Sequence, residues 1–248
     1  MHANRLVINS DKTHLMVLGS RRHASLWYQV TVSADDFQIT PSESEKLLGC
    51  QLHQNLDWKA HFRDGKASLL NQLTSRINGL RKVSINASFK TKLQIANGVV
   101  ISKLSYLITL WGGANQSLIN ALQVQQLAAA RVVCGIGSWK WSRGKLLAKV
   151  GWLSVRQLIF YHTVLQAHKT RSTGMPQYLF SDLYSEYSRM TRNASEGRIR
   201  QQGGASTATF KYRATKYYNS VPIEVRTGSI AAVKVKLKRW ILSNVPMD

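Results

Sequence analysis

Asp57-Trp58-Lys59-Ala60-His61-Phe62-Arg63-Asp64-Gly65-Lys66-Ala67-Ser68-Leu69-Leu70-Asn71-Gln72-Leu73-Thr74-Ser75-Arg76-Ile77-Asn78-Gly79-Leu80 is where the hydrophobic pattern of this 248-residue chain changes from strands to helices. Trp58, Phe62, Leu69, Leu70, Leu73, Ile77 and Leu80 make a helical stripe, with Asp57 as its cap. Upstream, short apolar runs alternate with polar turns. Leu6-Val7-Ile8 and Leu15-Met16-Val17-Leu18 precede Gly19; Trp27 to Val32 and Phe37 to Thr40 flank a turn at Ala34-Asp35-Asp36; Leu47 to Leu52 reads as one more strand. That is a small β layer with too few strands to cover both faces.

Downstream the period stays helical. Asn86 or Ser88 can cap a second helix striped by Phe89, Leu93, Ala96, Val100, Leu104 and Leu107, ending at Trp111-Gly112-Gly113. Leu118, Leu122, Leu127, Ala130 and Val133 mark a third. A loop with Gly135, Gly137, Trp139, Trp141 and Gly144 follows, then a helix with Val155, Leu158, Ile159, His162 and Leu165. Two closing helices are predicted over Phe210 to Asn219 and Ser229 to Leu242. In the last, Val233-Lys234-Val235-Lys236-Leu237-Lys238 also alternates like a strand, and helix is the favoured reading. The fold class is therefore α+β and mostly α, organised as 1–56, a helical region 57–187, a polar and Gly-rich linker 188–209 and a helical region 210–248.

Charge decides which functions remain. From Gly65 to Ser181 the chain runs 117 residues with no Asp or Glu and with 15 Lys and Arg, inside a protein of formal charge +22 and pI about 10.4. Such a segment holds no two-metal site and no carboxylate acid/base pair, because Mg²⁺ and Ca²⁺ need anionic oxygen ligands. An acid-free basic surface suits a phosphate backbone, where each neutralised phosphate releases counterions. Ordinary solvated helix faces mix both signs. Lys66, Arg76, Arg81, Lys82, Lys90, Lys92 and Lys103 lie on the two predicted helices and are the candidate backbone contacts. Trp139 and Trp141, interleaved with Lys140, Arg143 and Lys145, are candidates for stacking on bases, burial as loop anchors being the other reading.

The hydrophobic fraction of 44% is enough for a real core. Cys50 and Cys134 stand alone, without ligand-spaced His pairs, which points away from a disulfide framework or zinc and towards an intracellular compartment, cytoplasm or nucleus. The longest apolar stretch, Val99 to Trp111, contains Lys103 and is too short to span a bilayer, so no membrane partner is expected.

The order of blocks resembles the reverse transcriptases of non-LTR retrotransposons, jockey-like in type. Asn4-Arg5-Leu6-Val7-Ile8-Asn9-Ser10-Asp11-Lys12-Thr13 looks like the lysine-bearing palm motif. Lys46-Leu47-Leu48-Gly49 with Asn55-Leu56-Asp57-Trp58 and His61 looks like the primer-grip strand leading into the thumb. Trp152 to Gln157 with Pro176 to Leu179 resembles the stretch beyond the thumb. Phe210, Arg213-Ala214, Asn219 to Pro222, Glu224 to Arg226, Lys234, Leu237-Lys238 and Trp240 resemble the C-terminal block.

The resemblance implies an end-of-palm remnant, a helical thumb and a small helical C-terminal region. It places Lys12 near an incoming triphosphate and Leu48-Gly49 at the primer end. The aromatic-Ala-Asp-Asp motif and the earlier palm aspartate of the family would precede Asn4. The expectation is a reading frame starting at an internal methionine and lacking those catalytic carboxylates. Ala34-Asp35-Asp36 does not replace them, since Ser33 stands where the aromatic would and the order is reversed.

The function expected is non-specific binding of RNA, RNA–DNA hybrid or DNA. No catalytic residue, metal ligand or cofactor is assigned, Mg²⁺ belonging to an intact parent enzyme only. Self-association through an exposed palm edge is expected as well. Two other readings stay open: a fragment or truncated frame of an intact RNA-directed DNA polymerase, and a decayed or domesticated relic with a scaffold role.

Overall fold

A computed structural model of the chain describes residues 9–19, 29–34, 37–137, 141–184, 197–200, 206 and 208–247. They form an α+β fold that is mostly helical. The chain divides into two compact units, Met1–Gln72 and Leu73–Asp248.

The first unit carries two separate antiparallel hairpins rather than the single β layer expected. β1 (Val32–Ala34) pairs with β2 (Phe37–Ile39) in the register Val32 to Ile39, and β3 (Ser44–Leu47) with β4 (Cys50–His53) in the register Ser44 to His53. Leu47 to Leu52 is therefore not one strand. It folds back at Leu48-Gly49, where φ is +48° and +79°. Leu15 to Leu18 is not a strand either: Leu15 makes a single parallel bridge to Pro41, and Ser42 N donates to Leu15 O at 2.8 Å. Pro41 has no N–H with which to extend that ladder. Leu6-Val7-Ile8, Trp27 and the Asp35-Asp36 pair lie outside the described residues.

The helix expected from Asp57 to Leu80 is two helices. The N-cap of the one-turn α1 (Lys59–Phe62) is Trp58, without a side-chain cap, rather than the expected Asp57, whose Oδ1 accepts from Lys59 N at 3.1 Å just ahead of it. α1 ends with Arg63 as its C-cap, the chain turns with Gly65 at φ +75°, and α2 (Leu69–Val83) begins afresh. Cys50 and Phe62 are buried, and Gln51 N donates to His61 Nδ1 at 3.3 Å, tying β4 to α1.

In the second unit Ser88, not Asn86, caps α3 (Phe89–Ala96), its Oγ accepting from Thr91 N. The stripe then passes through a π turn (Asn97–Ile101) and α4 (Ser102–Ser105). It breaks at Leu107, with φ +54°, before α5 (Ile108–Trp111). Ala96, Val100, Leu104 and Trp111 are nonetheless buried, while Phe89 of the expected stripe is exposed and Leu93 and Leu107 are half-buried. α6 (Gln116–Cys134) buries the expected Leu118, Leu122, Leu127, Ala130 and Val133. Gly144 belongs to α7 (Arg143–Val150) rather than to a loop. α8 (Val155–Thr173), α9 (Gln177–Leu183), α10 (Phe210–Ser220), α11 (Ile223–Arg226) and α12 (Ile230–Asn244) complete the unit. Val233, Leu237 and Ile241 form one buried stripe on α12, so the Val-Lys alternation there is helical. Much of the expected linker is outside the described residues; within it, Ile199 is buried and exchanges two hydrogen bonds with Asn219.

α8 is the centre of this unit, packed against α5, α6, α9, α10 and α12. Its start is held by a buried amide network. Ser154 Oγ accepts from Gln157 N at 3.3 Å and Gln157 Oε1 accepts from Ser154 N at 3.0 Å, a reciprocal cap. Gln123 Oε1 accepts from Val155 N at 2.9 Å, and Gln126 Nε2 donates to Leu153 O at 2.8 Å. Gln123 Nε2 donates to Gln126 Oε1 at 2.9 Å, while Gln157 Nε2 reaches Val245 O at 2.8 Å. Gln126→Leu would orphan both the Leu153 carbonyl and the Gln123 amide. It is expected to lower the unfolding free energy by about 2 kcal/mol or more in urea titration, against about 1 kcal/mol for Ser154→Ala.

Near the other end of α8, His168 is buried with Nε2 3.1 Å from Gly228 O and Nδ1 without a partner. Burial holds its pKa below the ordinary histidine value, with the Gly228 carbonyl opposing that shift. The unfolded chain then binds a proton more readily than the folded one, so stability is full above about pH 6.5 and falls as the pH drops through the lowered folded value. Thermal melts from pH 7.5 to 5 should show that loss, and His168→Gln should reduce it.

Candidate nucleic-acid interface

Six of the seven predicted phosphate-contacting cations belong to the second unit. Arg76, Arg81 and Lys82 ride on α2, Lys90 and Lys92 in the first turn of α3, and Lys103 on α4. Arg81, Lys82 and Lys90 are exposed; Lys92 and Lys103 are half-buried. Arg76 is exposed too, yet its Nη1 donates to Val99 O at 2.8 Å and so clips α2 to the π turn. Arg81 Nη1 donates to Asn78 Oδ1 at 2.7 Å on its own helix, and Lys103 Nζ lies 5.7 Å from the Tyr106 ring centre. The positions best disposed to meet a phosphate are thus Lys82, Lys90 and Lys92, with Arg81 beside them. Lys149 Nζ lies 5.7 Å from the Phe89 ring at the start of α3, adding a cation there that the sequence reading did not include.

In the first unit, Lys66 is exposed in the turn between α1 and α2. Lys12 ends a short 3₁₀ turn (Ser10–Lys12), its N–H donating to Asn9 Oδ1 at 3.2 Å, with its side chain exposed. Leu48 and Gly49 form the tip of the β3–β4 hairpin, and Leu48 is 79% exposed. Trp139 lies outside the described residues. Trp141 is half-buried just before the α7 cap, with Lys145 Nζ 5.3 Å over its ring.

A cleft of about 560 Å³ was not foreseen from the sequence. It opens among α6, α8, α10 and α12, with Phe160, Tyr217 and Trp240 on its wall. Tyr217 stacks on Phe160 at 4.7 Å and Trp240 is tilted 5.9 Å from it. Arg156 and Lys216, both exposed, stand on the same cleft. An adjoining hollow of about 320 Å³ shares Arg156 and adds Arg143. Among the described residues no Asp or Glu lines either space. The signal was available in Lys216-Tyr217-Tyr218 and Arg239-Trp240, the same mixing of cation and aromatic that drew attention to Trp139 and Trp141.

Among the described residues no three of His, Cys, Asp or Glu converge as metal ligands do. Burial pushes the Cys134 thiol up, away from thiolate, despite the nearby Lys149. Burial and then Lys234 hold His162 below its ordinary value, so it adds no positive charge at neutral pH. Among the described residues no helix is long and apolar enough to cross a membrane. No family model, curated protein or solved structure matches this chain.

The hairpin tip yields a test of local conformation. Positive φ at both Leu48 and Gly49 is the pattern of a type I′ turn, which favours Asn-Gly. Leu48→Asn is expected to raise stability by about 0.5–1 kcal/mol in chemical denaturation, and Gly49→Val to lower it.

Proposed function

We propose that this chain binds nucleic acid through the phosphate backbone, without sequence preference, using the cations of α2 and α3. The observation that carries the reading is the absence of any carboxylate from Gly65 to Ser181 together with the exposure of Arg81, Lys82 and Lys90 on those helices. A helix face of one sign with no acid on its own helices gains from phosphate neutralisation. In family terms the chain is read as the end of the palm, the thumb and the C-terminal region of a non-LTR retrotransposon reverse transcriptase. What supports that is the order of motif blocks, with the primer-grip-like Leu48-Gly49 at an exposed hairpin tip and the helical region following it. RNA–DNA hybrid or structured RNA is the preferred partner. The chain is not expected to polymerise alone.

Affinity for an RNA–DNA hybrid should fall steeply with salt, with a log–log slope of several units. Combining Lys82→Gln with Lys90→Gln should reduce that slope by about 2. An affinity indifferent to salt would overturn the backbone reading in favour of a protein partner. Primer extension by the purified chain with Mg²⁺ and four deoxynucleotides is expected to be absent, and extension would refute the non-polymerising assignment.

A further inference from the structure

We infer that a cleft bounded by α8, the break between α4 and α5, and the start of α12 binds a small amphipathic organic anion. The apolar body of the ligand lies inside, and its single acidic head meets Lys169 and Lys234. The inference goes beyond the nucleic-acid reading and does not depend on it.

The cleft measures about 600 Å³, within the range of small-molecule sites. Its α8 wall follows from helical spacing. Tyr161, Leu165 and Lys169 succeed one another every four residues, with His162 and Gln166 beside the first two, so all five share one face. Ile230 and Lys234, also four apart, add the first turns of α12. Leu107 and Ile108 close the third side.

That third side exists because the helix breaks there. Tyr106 is extended and Leu107 is left-handed, at φ +54°, before α5 starts at Ile108. A leucine in that region is an outlier that the surrounding structure must hold, and such residues collect at ligand clamps. Trp111 holds this one. Its ring is fully buried and its Nε1 donates to Tyr106 O at 2.9 Å, so the wall does not depend on a ligand to form.

The lining selects the class of ligand. Leu107, Ile108, Leu165 and Ile230 supply aliphatic surface, and the Tyr161 ring, edge-on to His162 at 5.2 Å, supplies an aromatic one. Burial and then Lys234 keep His162 uncharged at neutral pH, so it offers one hydrogen-bond donor and one acceptor. Lys169 and Lys234 come from different helices and are both exposed, and neither ammonium makes a hydrogen bond or ion pair among the described residues. Their field at the mouth attracts an anion. Two ammoniums suffice for one acidic head, while the aliphatic lining favours an apolar body over a second charge.

The test uses the full chain and the fluorescence of 8-anilinonaphthalene-1-sulfonate, an aromatic body with one sulfonate. Saturable binding of one probe per chain is expected, with displacement by octanoate. Lys169→Gln and Lys234→Gln should each weaken it about three- to fivefold, as for loss of an exposed ion pair. Lys216→Gln removes the same charge from the other cleft and should leave the affinity within about twofold. N-phenyl-1-naphthylamine, which lacks the sulfonate, should bind the parent more weakly than the sulfonate does, and the lysine variants as it binds the parent. Leu165→Trp should fill the cleft and abolish saturable binding; where it does not fold, the exposed lysine variants carry the test. The inference is overturned where the lysine variants bind the sulfonate as the parent does. It is overturned equally where the neutral analogue binds the parent as tightly, leaving an apolar cavity only, or where inorganic phosphate displaces the probe as well as octanoate does, leaving a bare anion site.

Discussion

Three buried glutamines hold the start of α8, and the second unit is organised from that point. Gln123 and Gln126 come from α6 and Gln157 from α8 itself, and between them they satisfy Leu153 O, Ser154 N, Val155 N and Val245 O. A helix that begins inside a core leaves backbone donors with no intrahelical partner, and water is not there to take them. Neutral amides solve this without placing charge in the interior. A carboxylate would have capped α8 as well, but burying it among apolar side chains costs far more than burying an amide. The acid-free composition and the amide network are thus two sides of one solution.

The same constraint governs how buried cations are accommodated. Arg213 is 4% exposed, its Nη2 donating to Thr109 O at 2.7 Å and its Nη1 to Ala208 O. Arg226, 3% exposed, donates from Nη1 to Gly197 O at 3.0 Å and lies 5.0 Å from the Tyr218 ring. Backbone carbonyls and an aromatic face supply partial negative charge where few carboxylates are available. Cations that serve the fold are in this way distinguished from those left on the surface. Arg76, which clips α2 to the π turn, belongs to the first kind, and Lys82 and Lys90 to the second.

Legibility followed the physics of each element. Stripes on long helices read correctly because burial repeats every turn: Leu118 to Val133 on α6 and Val233 to Ile241 on α12 are buried as their spacing requires. Interruptions did not read. A residue at positive φ, Gly65 beyond α1 or Leu107 beyond α4, stands in each break without changing the apolar period around it. The β region was the least legible: Leu15 depends on a partner distant in sequence, Pro41, while Leu47 to Leu52 is split by a turn at Leu48-Gly49 that carries the apolar run straight across it. Among the candidate site residues, Lys82 and Lys90 were visible as cations on a predicted helix. The Tyr217–Trp240 cleft was not, since its walls come from α6, α8, α10 and α12 and its residues are far apart along the chain.

By itself the sequence determined composition-level properties: a strongly basic, acid-free centre, a mostly helical chain with a small β portion, and the faces its long helices bury. These depend on local period and summed charge, which every residue contributes independently of its distant neighbours. Only the tertiary structure decided which arginines are taken up by carbonyls and which cations remain at the surface. It alone divided the β region into two hairpins and assembled an aromatic cleft from α8, α10 and α12. The cleft and the arginine–carbonyl contacts join residues separated by tens of positions, and no local pattern encodes which of the many compatible contacts the packed chain adopts.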